Sequence, residues 1–519
     1  MSGPSSRASG LLLHPTSLPG PHGIGDLGPS AHRFVQRIAD AGQTLWQVLP
    51  LGPTGYGDSP YACFSSFAGN PLLVSLESLA EWGIVPSEDL GTVPAFPAGR
   101  VDYGAVIQRK LPVLRRAARR FIESRTGGLA EDFERFREQE LWWLDDYSLF
   151  MAIKRRHQGA WNRAWDRDVA LRDPKSLARC RREMAEDIAT EQAIQFFFFR
   201  QWESLRADAA ASGIRIIGDL PIFAAPDSAD VWANRELFLL DRDGHPTAVS
   251  GVPPDYFAAT GQLWGNPLYD WKSLARQGYR FWIQRIRSSL RLFDHLRIDH
   301  FRGFESCWSV PAHEPTAEHG TWVRVPGADL FAALERELGV LPIIAEDLGV
   351  ITPEVNALRE RFGFPGMRIL QFAFDLGEAG VLGAENRFLP HNHAPGSVVY
   401  TGTHDNDTTR GWYAGRTMEE RSALDRYAPP TDPEIEWRFI RMAMASVCRS
   451  AVVPLQDVLG LGSEARMNTP GTSNGGNWSW RAPECFMDDA AATRLRALSE
   501  TYGRIGPAPR PAVPAPHAG

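Results

Sequence analysis

Short apolar runs alternate with amphipathic stretches along most of this chain. Runs at 10–13, 44–49, 215–217, 293–298, 341–344, 367–374, 397–401 and 451–455 are closed by Pro, Gly or acidic residues, the pattern of buried strands. Between them, apolar residues recur at helical spacing. Phe34, Val35 and Ile38 do so within 31–41, stopped by Gly42, and Ile283, Ile286, Leu290 and Phe293 within 281–293. Thr352-Pro353 opens another helix, with Pro at its first position, that presents Val355, Leu358 and Phe362 and stops at Gly363. A further helix is expected at 433–446. Helix and strand compete for Phe293. Eight strands with intervening helices predict an α/β fold, a (β/α)8 TIM barrel.

The spacing is uneven, and this predicts large insertions between barrel strands. Residues 51–213 are too long for a loop and should form a subdomain. Its start, 51–79, is rich in Gly, Pro, Ser and aromatics, which predicts a loop-built lobe; helices are expected at 113–122, 132–144, 147–156 and 183–205. A second insertion spans 223–279. One catalytic unit is thus expected over 1–505, followed by a Pro/Ala-rich tail, 506–519, whose composition predicts disorder.

Composition narrows the function. The 519 residues are 43% hydrophobic and 23% charged with net charge −7 at pH 7, and no basic block stands out to neutralise phosphates, so a nucleic-acid partner is not expected. No apolar run approaches the length of a membrane span, and the first ten residues lack the basic and apolar regions of a secretory signal. The five cysteines lie far apart without a CxxC pair, which fits reduced thiols and a cytoplasmic location. Seventeen tryptophans serve equally as core or as platforms for sugar rings.

The chemistry-bearing residues cluster where strands should end. Arg297 and Asp299 are two apart, hence on one face of a strand, and the guanidinium is expected to keep the carboxylate ionised, as a nucleophile requires. Glu346 and Asp347 end strand five; at most one faces the barrel mouth, and Asp347 reads better as a cap before Gly349. His404, Asp405, Asn406 and Asp407 end strand seven; His404 and Asp405 can hold neighbouring hydroxyls, while Asn406 and Asp407 fit an Asx-turn. Asp219 and Asp457, at the ends of strands three and eight, are expected to support the site. Paired carboxylates at strand ends are what a barrel needs to cleave glycosidic bonds, one as nucleophile and one as proton donor. Other motifs are weaker. Gly23-Ile24-Gly25-Asp26-Leu27-Gly28 matches GxGxxG but does not directly follow a strand, so it reads as a turn. Gly471-Thr472-Ser473-Asn474-Gly475 matches GxSxG without the strand a nucleophile elbow needs, so it reads as a loop. No histidine spacing suggests a metal site.

Taken together the motifs resemble the 4-α-glucanotransferases of the amylomaltase type (glycoside hydrolase family 77), a branch of the α-amylase clan. The likeness rests on Leu13-His14-Pro15-Thr16-Ser17-Leu18-Pro19, Trp46-Gln47-Val48-Leu49-Pro50-Leu51 and Gly55-Tyr56-Gly57-Asp58-Ser59-Pro60-Tyr61. It continues through Gly218-Asp219-Leu220-Pro221-Ile222-Phe223, Gly251-Val252-Pro253-Pro254-Asp255-Tyr256-Phe257, Gly261-Gln262-Leu263-Trp264-Gly265-Asn266-Pro267, the three acidic signatures, and Ala465-Arg466-Met467-Asn468-Thr469-Pro470-Gly471. The resemblance implies Asp299 as nucleophile, Glu346 as acid/base and Asp405 as transition-state stabiliser, with Arg297 positioning Asp299. It implies that His300 and His404 hold hydroxyls of the sugar at the cleavage point, with Tyr61 stacked beside it. Trp264, Asn266 and Asp255 would line the glucan groove, the loop 468–480 would arch over it, and Tyr56 and Tyr103 would belong to a second, more distant glucan site. It further implies α-1,4-glucans as donors, glucose or glucan as acceptor, and no metal or organic cofactor. A glucan hydrolase on the same scaffold, and a non-catalytic glucan-binding protein, stand as alternatives.

Overall fold

The computed structural model describes residues 7–91, 93–124, 128–254, 259–377, 381–472 and 475–505. Eight parallel strands form one sheet: Ala8–Leu12, Leu45–Gln47, Arg215–Leu220, His295–Ile298, Ile343–Ala345, Gly366–Ile369, Ser397–Tyr400 and Ser450–Pro454, here strands one to eight. Spatial order follows chain order, with strand eight paired to strand one. At the seam between strands five and six the Ala345 N–H donates to the Pro365 carbonyl at 2.8 Å and closes the ring. This is the (β/α)8 barrel that the alternation predicts. Its strands are buried on both faces, the reason they read as continuous apolar runs rather than alternating ones.

The upper interior of the barrel departs from that apolar rule. The Tyr400 hydroxyl donates to Gln47 Oε1 at 2.9 Å, although their strands lie three apart, so the bond crosses the interior. Asp219 and Arg297 face each other in register on strands three and four. Polar side chains therefore begin at the level where the strands end, and they carry the site.

Several boundaries differ from the sequence pattern: the helix expected at 113–122 runs Tyr103–Ser124 through Pro112, and three further differences have a visible reason. Phe293 belongs to neither competitor. It ends the helix Arg280–Leu292 in extended backbone, and its ring packs where Gly218 has no side chain. Strand six stops at Ile369, and Leu370–Ala373 turns into a 3₁₀ helix so that the Gln371 side chain can donate to the Asp407 carbonyl at 2.8 Å. The helices expected at 132–144 and 147–156 are one, Gly128–Arg156. The polar pair that looked like a break, Asp145 and Asp146, instead receives Arg181 and Arg172, each at 2.8 Å.

Within 51–213 the long helices Tyr103–Ser124, Gly128–Arg156 and Ala185–Ala211 pack around Phe121, Phe133, Phe196 and Phe197. Buried Lys110 anchors the first of them to Asp26 Oδ2 and Leu72 O, both at 2.8 Å, and Asp26 Oδ1 also accepts the Gly28 N–H. The GxGxxG stretch is thus a pinned turn before the helix Pro29–Asp40. Ala248–Val252 and Gln262–Pro267 join Ser306–Pro311 and Thr321–Arg324 in a four-stranded antiparallel sheet beside the barrel mouth. No helix among the described residues is long and apolar enough to cross a membrane. The tail 506–519 and residues 473–474 of the GxSxG match lie outside the described residues.

Candidate active site

Strand pairing brings the first two acids together. Ile298 and Ala345 are partners in register, so Asp299 and Glu346 follow them side by side at the mouth. The turn after strand four is built around Glu346. Its Oε2 accepts the His300 N–H at 2.7 Å, its Oε1 the Leu348 N–H at 2.8 Å, and its carbonyl the Phe301 N–H. To deliver that N–H, His300 adopts left-handed backbone (φ 51°, ψ 51°), a costly conformation for a side-chain-bearing residue and one typical of functional sites.

Arg297 serves two carboxylates. Its Nη1 donates to both oxygens of Asp219, at 2.8 and 2.6 Å, while Nη2 reaches Asp299 Oδ1 at 3.0 Å. Asp219 and Arg297 are fully buried, whereas the Asp299 side chain remains 30% exposed to the groove. This division corrects the expectation that Arg297 alone keeps Asp299 ionised. Burial raises Asp299 above the ordinary carboxylate range, with Arg297 opposing and Asp219, Glu346 and Asp405 adding to the rise. Burial likewise raises Glu346, against Arg297 and the two backbone donors. One guanidinium faces four carboxyls, so Asp299 and Glu346 both give up their protons less readily than isolated carboxyls.

On the opposite side, the Tyr61 hydroxyl bridges Asp219 Oδ2 at 2.8 Å and His404 Nε2 at 2.9 Å. The rings of Tyr61 and His404 stack at 5.3 Å and 14°. Burial lowers His404, and Asp405 opposes that fall; His300 drops to about 3 through burial and Arg302. Burial thus disfavours the charged form of both imidazoles, which suits them to hydrogen bonding with hydroxyls. Asp405 lies against His404 Nε2 at 3.4 Å and is 40% exposed.

Trp264 stands edge-on to the His300 ring at 4.7 Å and 86°, partly exposed beside the mouth. Asn266 is turned inward, donating to the Ala224 carbonyl at 3.1 Å and accepting from Ser250 Oγ at 3.4 Å. Tyr56 is 78% exposed. Tyr103 is not available as a sugar platform in this structure. Its ring is buried with Ile24, Leu72, Val101 and Val106, and its hydroxyl donates to Trp478 O at 3.0 Å. Asp255 lies outside the described residues.

The remaining strand-end acids hold the frame. Asp347 is fully buried and accepts the Met367 N–H at 2.7 Å, with Arg368, Arg359 and Arg387 around it. It pins strand five to strand six so closely that a side chain on Gly366 would overlap its carboxylate. Asp457 accepts from the hydroxyls of Thr401 and Thr409 at 2.6 and 2.7 Å. Asn406 and Asp407 do not form the Asx-turn expected, which would accept two residues on: Asn406 Oδ1 reaches back to the Thr403 N–H and hydroxyl, and Asp407 accepts from the Thr408 N–H and the Ser463 hydroxyl.

Two partners escaped the sequence reading. Asn468 Nδ2 donates to Asp405 Oδ1 at 2.6 Å, and Arg466 Nη2 donates to the Asp405 carbonyl at 2.7 Å, so the loop after strand eight orients this acid. Trp478, from the same loop, packs on Tyr61 and His404 at 5.6 and 5.9 Å. The family resemblance put the loop 468–480 over the groove without naming these contacts. Among the described residues no three His, Cys, Asp or Glu side chains group to hold a metal ion.

Comparison with known proteins agrees with this geometry. The glycoside hydrolase 77 model, described as 4-α-glucanotransferase, matches residues 13–487. A 4-α-glucanotransferase of Thermus thermophilus is 54% identical over 508 residues, covering 96% of this chain and 99% of the relative. The chloroplastic/amyloplastic 4-α-glucanotransferase of Solanum tuberosum is 46% identical over 509 residues, covering 96% and 87%. The solved structure of an amylomaltase from Streptococcus agalactiae in complex with acarbose superposes with a TM-score of 0.92 at 37% identity, covering 96% of this chain and all of that one. The chain belongs to the glycoside hydrolase 77 family of 4-α-glucanotransferases.

Proposed function

We propose that this protein transfers segments of α-1,4-glucan to the 4-hydroxyl of glucose or another glucan, by two displacements that retain anomeric configuration. One observation carries the reading: Asp299 and Glu346 follow paired residues on neighbouring strands and share Arg297's field. Neighbouring strands lie about 4.8 Å apart, which supports the roughly 5–5.5 Å carboxyl separation of a retaining pair. Asp299 is the nucleophile, because it alone of the two touches Arg297 and so takes the negative charge more readily. Glu346 then keeps the shared proton and delivers it to the leaving sugar, its carboxyl plane fixed by the His300 and Leu348 N–H groups. Asp405, His404 and His300 bind the sugar at the cleavage point, and Trp264 and Asn266 the groove beside it.

Transfer rather than hydrolysis is supported by the loop that brings Asn468 to Asp405 and Trp478 against Tyr61 and His404, since a covered site excludes water and retains the acceptor. Incubation with pure maltotriose tests this. A ladder of longer maltooligosaccharides is expected; shorter products alone would make the protein a hydrolase. Five free thiols, three of them buried, support a reducing, cytoplasmic setting.

Asp219→Asn gives a pH test. The substitution removes a negative charge beside the pair and frees Arg297 for Asp299; both favour ionisation. Activity that needs one proton on the pair is present below the pair's upper pKa and lost as pH rises through it. The alkaline limb of kcat/KM should therefore move down by roughly one pH unit. A limb that stays or moves up contradicts the charge account.

A further inference from the structure

Beneath the site, three polar atoms are buried without a hydrogen-bond partner: His14 Nδ1, Ser17 Oγ and His404 Nδ1. Their residues are 4%, 0% and 5% exposed, and all three line one small cavity together with Thr403, Gln456 and Met467. The cavity leaves ≈ 20 Å³ for the centre of a water molecule. One water needs roughly 10–15 Å³ and two to four polar partners. Buried polar atoms left unpaired cost free energy, so three on residues that line one cavity with room for a water call for an occupant.

The tautomer of His404 follows from the bonds on its other side. Asp219 is a carboxylate that accepts from Arg297, so the Tyr61 hydroxyl must donate to Asp219 Oδ2. The Tyr61 oxygen can then only accept from His404, which places the His404 proton on Nε2. Asp405 Oδ2, 3.4 Å from the same nitrogen, favours this further. His404 Nδ1 is therefore a bare, buried lone pair on a residue that lines the cavity, and it needs a donor.

We propose that His14 is a positioning residue: its Nδ1–H holds one water in this cavity, and that water donates to His404 Nδ1 and Ser17 Oγ. The chain then runs without a break from His14 through water, His404, Tyr61, Asp219 and Arg297 to Asp299. Its effect is to lock His404 with Nε2–H toward the Tyr61 oxygen and Asp405, and the Tyr61 hydroxyl toward Asp219. Neutral imidazoles at both ends fit this arrangement, and burial lowers both His14 and His404. The inference rests on His404 acting at the proposed sugar site, but the tautomer is a property of the free protein.

Two measurements on the full-length protein decide it. In protein labelled with ¹⁵N at histidine, with His404 assigned by its loss in His404→Gln, the proton should sit on Nε2. With maltotriose, His14→Leu should lower kcat roughly tenfold with KM changed less than about twofold, the loss of one hydrogen bond to a buried acceptor. His14→Asn, whose amide can stand where Nδ1 stands, should recover kcat to within about threefold. A proton on Nδ1 of His404 would overturn the proposal. So would a His14→Leu protein with unchanged kcat, or a His14→Asn protein tenfold slow at unchanged Tm. If His14→Leu does not fold, the wild-type tautomer and His14→Asn decide alone. If the wild-type protein built no ladder from maltotriose, the transferase reading would fail while the tautomer result stood.

Discussion

Asp299→Asn lowers glucan transfer by at least about 10⁴-fold, because an amide cannot form the glycosyl ester and nothing else in reach replaces it. The neighbouring acids are already committed. Asp219 is held by both of its oxygens on Arg297 and by Tyr61; Asp405 is held by Asn468 and lies against His404. The substitution should leave the fold intact, since the Asp299 side chain is 30% exposed and its one ion pair shares a guanidinium anchored elsewhere. Ladder formation from maltotriose, followed chromatographically, measures the loss; a variant within tenfold of wild type would remove Asp299 from the nucleophile role.

Glu346→Gln is expected to cost roughly 10²–10⁴-fold with maltotriose, the range of a lost general acid. The loss should depend on the leaving group. An α-maltosyl fluoride donor departs without protonation, so its first displacement should run near the wild-type rate, measured as initial fluoride release. The second step still lacks its base, and the glycosyl enzyme should accumulate. Equal losses with both donors would point instead to a disturbed site, since Glu346 also fixes the His300 and Leu348 N–H groups.

These variants were nameable from the sequence because barrel geometry puts functional groups at strand ends, and the apolar runs mark those ends to within a few residues. Asp299 and Glu346 directly follow their strands, and Asp405 comes a few residues after its own. Asp347 is scaffolding, but not as the cap before Gly349 that the sequence suggests: Glu346 takes the Leu348 N–H of that turn, and Asp347 binds strand six with three arginines around it. What the local pattern could not supply is how distant segments share one charge. That Arg297 gives its closest bonds to Asp219 depends on the register between strands three and four, separated by 78 positions. For the same reason, the partner of Asp405 was hidden: Asn468 lies 63 positions on, in a loop with no apolar period. Tyr103, placed in a distant glucan site only by the family resemblance, is a case the local pattern could not address: the helix it begins turns its ring into the core, and its hydroxyl reaches the loop over the site.

Transfer by two displacements requires a glycosyl ester on Asp299. The direct test is to incubate the Glu346→Gln protein with α-maltosyl fluoride, quench, digest, and locate the sugar by mass spectrometry. A maltosyl group on the peptide that contains Asp299, with the bond at that carboxylate, is the predicted result. Sugar on Asp219 or Asp405, or steady fluoride release with no adduct on any peptide, would contradict it.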